Sequence, residues 1–425
     1  MLPLSPVKQE NQTSGVHPPP RLHLLRVFAP FAAGYFLSYL YRVVNAVIAP
    51  ELVGDLSLAP SSLGLLTAVY FITFASFQLP LGILLDRYGP RRVEAALLLF
   101  AGLGAYIFSQ ATSLTGLVIG RAFIGFGVSS CLMAAFKAYT LWFPKEKWPM
   151  VNGFQMAAGG LGALAATSPV ELALGYTDWR GLFLLLSVAT IGTAAMVFIV
   201  VPEKQSHKSS VTIGHQLEGL RTIFTSRTFW ALAPLTTASQ AAFLSIQGLW
   251  SGPWLINVAG FDRGETAQTL FLVALAMIAG FVSIGWFTQW LGKRAISATQ
   301  TAVTGMSIFM IAQLLLITLP IQFAVSAWIF FGFTGTAGII AYASLSQSFS
   351  AALSGRVTTA INLLVFVTAF CTQWLVGAII DICTPSSSPV LAVAGFQWSF
   401  TLLLLLQIAG LVSFFIINRK LIDAK

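Results

Sequence analysis

The chain has 425 residues, of which 56% are hydrophobic and only 9% are charged, and its formal net charge is +9. A soluble protein carries about 25% charged residues, so this composition excludes a soluble globular protein and indicates a protein of the lipid bilayer. No Lys, Arg, Asp or Glu occurs between residues 295 and 355, a stretch long enough for two membrane-spanning helices of about 20 residues each.

Residues 1–24 are polar and contain Pro18, Pro19 and Pro20. They lack the short apolar core of a cleavable signal peptide and predict a cytoplasmic N-terminal tail. The three cysteines are scattered and form no disulfide framework or structural zinc site.

Hydropathy and turn signals predict twelve spans along the rest of the chain. They cover Leu25–Pro50, Ser62–Leu85, Val93–Gln110, Leu114–Phe143, Met150–Ala173, Gly181–Val201, Phe229–Val258, Thr266–Leu291, Ala295–Leu319, Gln322–Ser346, Val357–Ile380 and Ala392–Ile417. The wide polar gap after the sixth span divides the chain. We therefore predict a six-helix bundle at 25–201, a cytoplasmic linker at 202–227, a second six-helix bundle at 228–418 and a cytoplasmic C-terminal tail at 419–425.

Basic residues collect in the connections on one side of these spans. Lys and Arg accumulate on the cytoplasmic side of membrane proteins. This asymmetry places both termini in the cytoplasm and predicts a multi-pass protein of the cytoplasmic (inner) membrane. It also accounts for the positive net charge without a nucleic-acid partner.

The same loop pattern occurs after the second and the eighth span. The first copy reads Gly82-x-x-x-Asp86-Arg87-x-Gly89-Pro90-Arg91-Arg92, and the second reads Gly285-x-x-x-Gln289-x-x-Gly292-Lys293-Arg294. The matching Gly and Arg positions share one offset. Such a parallel repeat is typical of transporters built from two related halves.

The first copy resembles the signature loop of the major facilitator superfamily. Arg121-x-x-x-Gly125-x-Gly127 resembles the family's second motif, and residues 142–147 (Trp-Phe-Pro-Lys-Glu-Lys) resemble a tract of its organic-anion and organophosphate branches. The resemblance implies an all-α membrane protein with twelve transmembrane helices in two pseudo-symmetric six-helix bundles. Gln289 departs from the acid expected there, and the Gly-Pro motif of drug antiporters is absent from the fifth span.

The signature loop predicts a gating role, in which contacts break and re-form as the two bundles rock. The gating candidates are Gly82, Asp86, Arg87, Gly89, Arg91, Arg92, Arg121 and Glu146. Asp86 can accept hydrogen bonds from free N–H groups at a helix start, and the arginines can pair with acids such as Glu146. The alternative is that the charges only hold the loop on the cytoplasmic side.

Arg42 lies within the first span, where a charge is costly and therefore a functional candidate. Tyr35, Tyr39 and Asn45 share its helix face by spacing. A guanidinium flanked by tyrosine hydroxyls suits a carboxylate or phosphate, and residues 39–42 resemble the first-helix arginine of organophosphate and sugar-acid transporters. The alternative is a structural arginine bonded to carbonyls or to an acid.

Lys137, near the end of the fourth span, is a second candidate contact for an anion, although a lysine there can also extend to the membrane interface. The second half offers neutral polar candidates, each of which can instead join helices. They are Gln240, Gln247, Trp250, Tyr342 and Asn362. Gly248, Gly252 and Pro253 predict a kinked seventh span.

The leading hypothesis is a secondary active transporter, symporter or antiporter, that moves a small organic anion by alternating access. The alternatives are an exporter of an amphiphilic, drug-like or siderophore-like compound, and a solute sensor that does not transport. No enzymatic motif or cofactor site is recognised, and the coupling ion, H⁺ or Na⁺, stays open. The candidate acids for binding a coupling proton are Glu51, Asp55 and Glu171. Each of them can also be an ordinary loop residue. The expected partners are the bilayer and a small anionic substrate, and the protein is expected to be a monomer.

Overall fold

The computed structural model describes residues 24–144, 148–203, 221–349, 351–383 and 389–422. Within these ranges every secondary-structure element is a helix, as expected where lipid cannot satisfy the backbone's hydrogen bonds. The first half consists of α1 (Ala29–Val43 and Asn45–Leu56, after a π-helical turn at Leu24–Phe28), α2 (Pro60–Ser76 and Gln78–Tyr88), α3 (Pro90–Ser109), α4 (Leu114–Val128 and Cys131–Trp142), α5 (Trp148–Ala165 and Ser168–Leu174) and α6 (Trp179–Val200).

The second half likewise consists of six helices, some of them in two segments. It consists of α7 (Arg227–Ser245, a π-helical turn at Ile246–Trp250, and Ser251–Asn257), α8 (Arg263–Gly292), α9 (Ala298–Thr318), α10 (Ala324–Gly335 and Ile339–Gln347, flanked by short 3₁₀ turns), α11 (Ala351–Cys383) and α12 (Pro389–Ile422). By length and apolar composition, nine of the described helices could cross a membrane, or ten when the two α1 segments, bent by 48°, count as one span. α2 and α7 complete the twelve in shorter segments.

Polar side chains cap several helix starts next to the connecting loops. The Asp178 side chain accepts a hydrogen bond from the Gly181 N–H, 2.8 Å away, at the start of α6. Ser297 and Gln300 form a reciprocal capping box at the start of α9. These caps satisfy N–H groups that a helix leaves free at its first turn, so they define where the spans begin.

Where the sequence predicts a kink in α7, the structure has a π-helical turn at Ile246–Trp250 that interrupts the α-helix. Pro253 follows this turn and has no N–H, so it cannot complete the α-helical hydrogen bond to the Leu249 carbonyl. A wider π turn is one of the recognised ways in which a helix accommodates such a loss. The turn carries Gln247 into the interior, where its side chain is buried.

Glycines allow close packing of the helices within the first half. A Cβ on Gly104 of α3 would lie 2.7 Å from the Gly120 carbonyl oxygen of α4. Gly127 of α4 is similarly close to Ala101 of α3. Small residues at such contacts strengthen helix association where no hydrophobic effect drives it, so these positions fix α4 against α3.

The two halves meet along α2 with α11 and along α5 with α8. One end of the molecule carries the α1–α2, α5–α6 and α7–α8 connections, and we call it the Arg263 end. The opposite end carries the α2–α3 connection, and we call it the Arg91 end.

At the Arg263 end, the backbones of the two halves touch. A Cβ on Gly64 of α2 would lie 2.9 Å from the Gln373 carbonyl oxygen of α11. Cβ atoms on Gly377 of α11 and Gly252 of α7 would overlap the carbonyl oxygens of Pro60 and Ala46. The halves are therefore sealed against each other at this end.

Candidate functional site

Arg42 lies in the first segment of α1, and only 7% of its surface is exposed. Its guanidinium carbon lies 4.4 Å from the ring centroid of Tyr39, 5.4 Å from that of Phe366 and 5.6 Å from that of Phe74. Aromatic faces attract a cation, so these rings stabilise the largely buried guanidinium. Arg42 Nε is buried and has no hydrogen-bond partner among the described residues.

A cavity of about 260 Å³ opens beside Arg42, between the two halves. Its first-half wall comes mainly from α1 and α4, and its second-half wall from α7, α8, α10 and α11. The polar or charged side chains that line it are Tyr35, Ser38, Tyr39, Arg42, Gln240, Gln247, Thr336, Tyr342, Thr358 and Asn362. Seven of these were candidates from sequence, and Ser38, Thr336 and Thr358 were not. Arg42 is the charged residue among the described lining residues.

The second-half wall offers neutral hydrogen-bonding groups. The Gln240 side chain donates to the Gly335 carbonyl at 3.3 Å, and the Tyr342 hydroxyl donates to Asn362 Oδ1 at 3.5 Å. Gln247 completes this wall from the π-helical turn of α7. A molecule in the cavity would therefore meet a cation on one side and neutral polar groups on the other.

Three other candidates do not line this cavity in the part of the chain that the structure describes. Asn45 is fully buried and donates to the Thr67 hydroxyl at 2.8 Å. The Trp250 indole donates to the Gln373 carbonyl at 3.1 Å. Lys137 is half-buried on α4. Asn45 and Trp250 join helices, which was the alternative for polar residues within spans.

Arg121 lies on α4 and is almost fully buried. Its Nη1 donates to the Tyr41 carbonyl of α1 at 2.7 Å, and its guanidinium lies over the rings of Phe108 and Phe183. Tyr41 in turn bonds to the Thr190 hydroxyl of α6 at 2.8 Å. Arg121 thus connects α4 to α1, away from the cavity lining.

The signature loop between α2 and α3 turns at Gly89, whose φ of 78° favours glycine. Arg91 Nε donates to the Phe198 carbonyl at 2.7 Å, and both Arg91 and Arg92 form ion pairs with Glu203 beyond α6. The sequence had paired these arginines with Glu146. Glu146 lies outside the described residues, as does the side chain of Asp86.

The remaining loop candidates are exposed. Gly82 has open space where a Cβ would lie. The Arg87 guanidinium lies 5.2 Å from the ring of its neighbour Tyr88. In this conformation Arg91 and Arg92 of the signature loop connect the start of α3 to the end of α6 and to Glu203 beyond it.

An ion-pair cluster at the Arg263 end was not foreseen from sequence. Arg263 of α8 pairs with Glu51 of α1 and with Glu171 of α5, the latter at 3.1 Å. Asp55 pairs with Arg180 at 2.9 Å and accepts from the Trp179 indole at 2.8 Å. Glu51 and Glu171 are thus engaged with a cation of the other half. The sequence carries no local signal for this, because the partners are far apart along the chain.

Glu94 of α3 was overlooked. It is fully buried, and both carboxylate oxygens have no hydrogen-bond partner among the described residues. A Cβ on Gly34 of α1 would overlap Glu94 Oε1, so the carboxyl group lies directly against α1. The sequence alone could have identified Glu94 as a candidate, because it falls within the predicted span Val93–Gln110 and an acid inside a span is a functional candidate.

The sequence model of the Major Facilitator Superfamily matches residues 31–373 of the chain. This match confirms the resemblance inferred from the motifs. The chain is 26% identical over 262 residues to the probable sulfoacetate transporter SauU of Cupriavidus necator, which covers 58% of this chain and 60% of the relative. It is 25% identical over 280 residues to the probable L-galactonate transporter of Escherichia coli, which covers 60% of each. Both alignments thus span less than two thirds of the relative's length.

Among solved structures, the chain is similar to a bacterial homologue of the human lysosomal transporter Spinster in an inward-facing, unoccupied conformation. The TM-score is 0.76 at 16% identity, and the alignment covers 96% of this chain and 99% of that one. At this identity the likeness concerns the fold. It agrees with the predicted arrangement of two helical bundles.

Proposed function

The chain belongs to the Major Facilitator Superfamily, and we propose that it is a secondary active transporter of a small organic anion that works by alternating access. The observation that carries this proposal is Arg42, a buried cation in the wall of a cavity between the two halves. The described lining residues include no Asp or Glu. A charge inside a membrane protein is costly unless it is compensated, and an anionic substrate supplies the compensation.

The cavity's size and walls favour a small, polar anion. Its volume of about 260 Å³ lies below the ~300–1,000 Å³ typical of pockets for drug-sized ligands. A carboxylate or phosphate matches the planar fork of Arg42. Gln240, Gln247 and Asn362 on the opposite wall suit hydroxyl or carbonyl groups of the same molecule.

The relatives support the same class of substrate. Those named above are described as transporters of sulfoacetate and of L-galactonate, and a further relative from Bacillus subtilis is described as a hexuronate transporter. Each of these names denotes a small anion, and two of them denote hydroxylated acids. An amphiphile exporter and a solute sensor are the alternatives. The small volume and Arg42 favour the anion, whereas the apolar side chains that form most of the lining would also suit an amphiphile.

Ligand-dependent stabilisation tests this proposal. A carboxylate that binds only the folded protein raises its stability by about 2.7 kcal/mol at a concentration of 100 times Kd. We expect galactonate, a hexuronate or sulfoacetate to raise the thermal unfolding temperature of the purified protein, and neutral galactose to have little effect. Stabilisation by apolar amphiphiles alone, with no response to any of the three anions, would favour the exporter instead.

We further propose that the protein is a monomer in the cytoplasmic membrane. Its Arg91 end faces the cytoplasm, since the basic loops lie there. The Arg263 end, where the halves are sealed, then faces outward, and the structure represents a state closed to the outside. The ion pairs of Arg263 with Glu51 and Glu171 contribute to that closure.

A cysteine in place of Tyr176 tests the orientation. Tyr176 lies between α5 and α6 at the Arg263 end, and 95% of its surface is exposed. In intact cells, we expect an impermeant thiol reagent to label Tyr176→Cys from outside. A cysteine in place of Tyr88, exposed at the Arg91 end, should react only after the cells are opened. Both variants are made in a background in which the accessible native cysteines Cys371 and Cys383 are replaced by serine. The reverse pattern would invert the topology.

A further inference from the structure

We propose that Glu94 is the proton-binding site of this transporter, and that its protonation sets the affinity of the Arg42 site for an anion. The inference rests on the proposed function and extends it to the coupling ion. Glu94 is fully buried, and neither carboxylate oxygen has a hydrogen-bond partner among the described residues. An ionised carboxylate left so in an apolar interior is strongly unfavourable. In this conformation Glu94 therefore holds a proton.

Within the part of the chain that the structure describes, no positive charge contacts Glu94 to replace that proton. The carboxyl group packs against the Gly34 backbone of α1. From α4, the Cys131 thiol and the Tyr139 hydroxyl lie within electrostatic range of it. Tyr139 is itself engaged, since its hydroxyl donates to Gln155 Oε1 at 2.6 Å. These titratable neighbours are neutral groups.

The arginines of the packed elements are directed elsewhere. On α3 itself, Arg91 and Arg92 pair with Glu203. On α4, Arg121 donates to a carbonyl of α1, and the half-buried Lys137 has an interaction of its own. On α6, Arg180 pairs with an acid at the Arg263 end.

α1 and α2 carry further charged groups. Arg87 of α2 lies beside its neighbour's ring, and the side chain of Asp86 is not described. From α1, Tyr35 has its hydroxyl directed to a methionine sulfur. The other charged groups of α1 are Arg42 in the cavity wall and the acids Glu51 and Asp55, which pair with arginines at the Arg263 end. Arg26, in the turn before α1, is exposed.

Glu94 is placed to exchange its proton at the Arg91 end. It is the fifth residue of α3, which begins at Pro90. At about 1.5 Å per residue, it lies about 6 Å along the helix from that start. Glu94 therefore lies close to the side that we assign to the cytoplasm, and its proton need not cross the sealed Arg263 end.

Electrostatics connects Glu94 to Arg42. The Cys131 thiol lies within electrostatic range of both groups. The Arg42 guanidinium lies over Tyr39, little more than one helical turn along α1 from Gly34. At a separation of about 10 Å and an effective permittivity of about 20, one added negative charge weakens the binding of a monovalent anion roughly tenfold. Proton and anion therefore bind cooperatively, as a symporter requires.

The experiment follows Glu94 and the anion separately. In the purified wild-type protein without ligand, infrared spectroscopy should show the carbonyl band of a protonated carboxyl group that disappears as the pH rises. Glu94→Gln should lack that band. Glu265→Gln, which removes an exposed carboxyl group at the start of α8, should retain it. A wild-type protein without such a band, or a band that survives Glu94→Gln, overturns the proton site whatever the substrate is.

Anion binding gives the second readout. Titrations with galactonate at a series of pH values should show wild-type affinity falling roughly tenfold as Glu94 ionises. Glu94→Gln, which resembles the protonated acid, should bind at the low-pH affinity throughout, and Glu94→Met serves the same purpose if the amide variant does not fold. Affinity whose pH dependence is unchanged in these variants overturns the coupling. Absence of anion binding at every pH, with the Glu94 band present, contradicts the proposed function instead.

Discussion

Replacing Arg42 by lysine is expected to weaken anion binding by about 1.5–3 kcal/mol, the range for a hydrogen bond to a charged group. This corresponds to a loss of affinity of roughly ten- to a hundredfold. Lysine keeps the charge but loses the planar fork that binds a carboxylate with two parallel hydrogen bonds. It also loses the flat contact with the rings of Tyr39 and Phe366 that now holds the guanidinium. Isothermal titration with galactonate measures the change.

Arg121→Lys is the contrasting variant, because Arg121 is an equally buried arginine of the same half that lies away from the cavity. Its Nη1 bonds to a backbone carbonyl of α1. We expect this variant to unfold at a lower temperature and to bind the anion with near-normal affinity while folded. Normal affinity in a well-folded Arg42→Lys protein, or a preferred substrate that is cationic, would contradict the anion-binding role of Arg42.

Valine in place of Gly252 is expected to abolish most transport without removing the Arg42 site. In the present state a Cβ at this position overlaps the Ala46 carbonyl oxygen across the two halves. Overpacking of this kind costs about 1–3 kcal/mol. Because the overlap exists only while the Arg263 end is closed, the penalty shifts the equilibrium roughly five- to a hundred-and-fiftyfold toward the state that is open there. Counterflow in proteoliposomes measures the lost exchange.

The conformational shift itself can be followed with a cysteine at Ser61, which donates its N–H to Asp381 across the same interface at 2.9 Å. We expect Ser61→Cys to react faster with an external thiol reagent in the Gly252→Val background. Gly192→Val is the matched control, since a Cβ there meets open space on α6. Equal reactivity in the two backgrounds would show that Gly252 does not govern closure.

Much of this architecture follows from the sequence, because lipid imposes strong constraints on each span separately. The predicted span Leu114–Phe143 ends within one residue of the observed Trp142. The π-helical turn of α7 lies where Gly248, Gly252 and Pro253 predict an interruption of the helix. The grouping of Arg42 with Tyr35 and Tyr39 follows from helix geometry, and all three line the cavity.

The features that were not predicted depend on which faces of distant helices meet, and the sequence alone does not show this. Asn45 shares the helix face of Arg42, but the bend in α1 comes between them and Asn45 bonds to Thr67. The partners of Arg263 lie on two helices of the other half, and no spacing rule connects them. Glu94 is different, because the sequence alone already placed it inside a predicted span. Only the structure shows that its carboxyl group has no hydrogen-bond partner among the described residues.

The ion pairs of Arg263 have a consequence for the rate of the transport cycle. The Arg263 side chain is 51% exposed, as are Glu51 and Glu171 to a smaller extent. An exposed pair of this kind contributes about 0–1 kcal/mol, and salt screens it over about 8 Å at physiological ionic strength. Such a contact biases the carrier toward one state without trapping it, which repeated cycling requires. With the Arg263 end facing outward, as proposed, a higher salt concentration outside the cell should weaken these ion pairs. The transporter should then spend less time in the state closed at the Arg263 end, and its turnover rate should change.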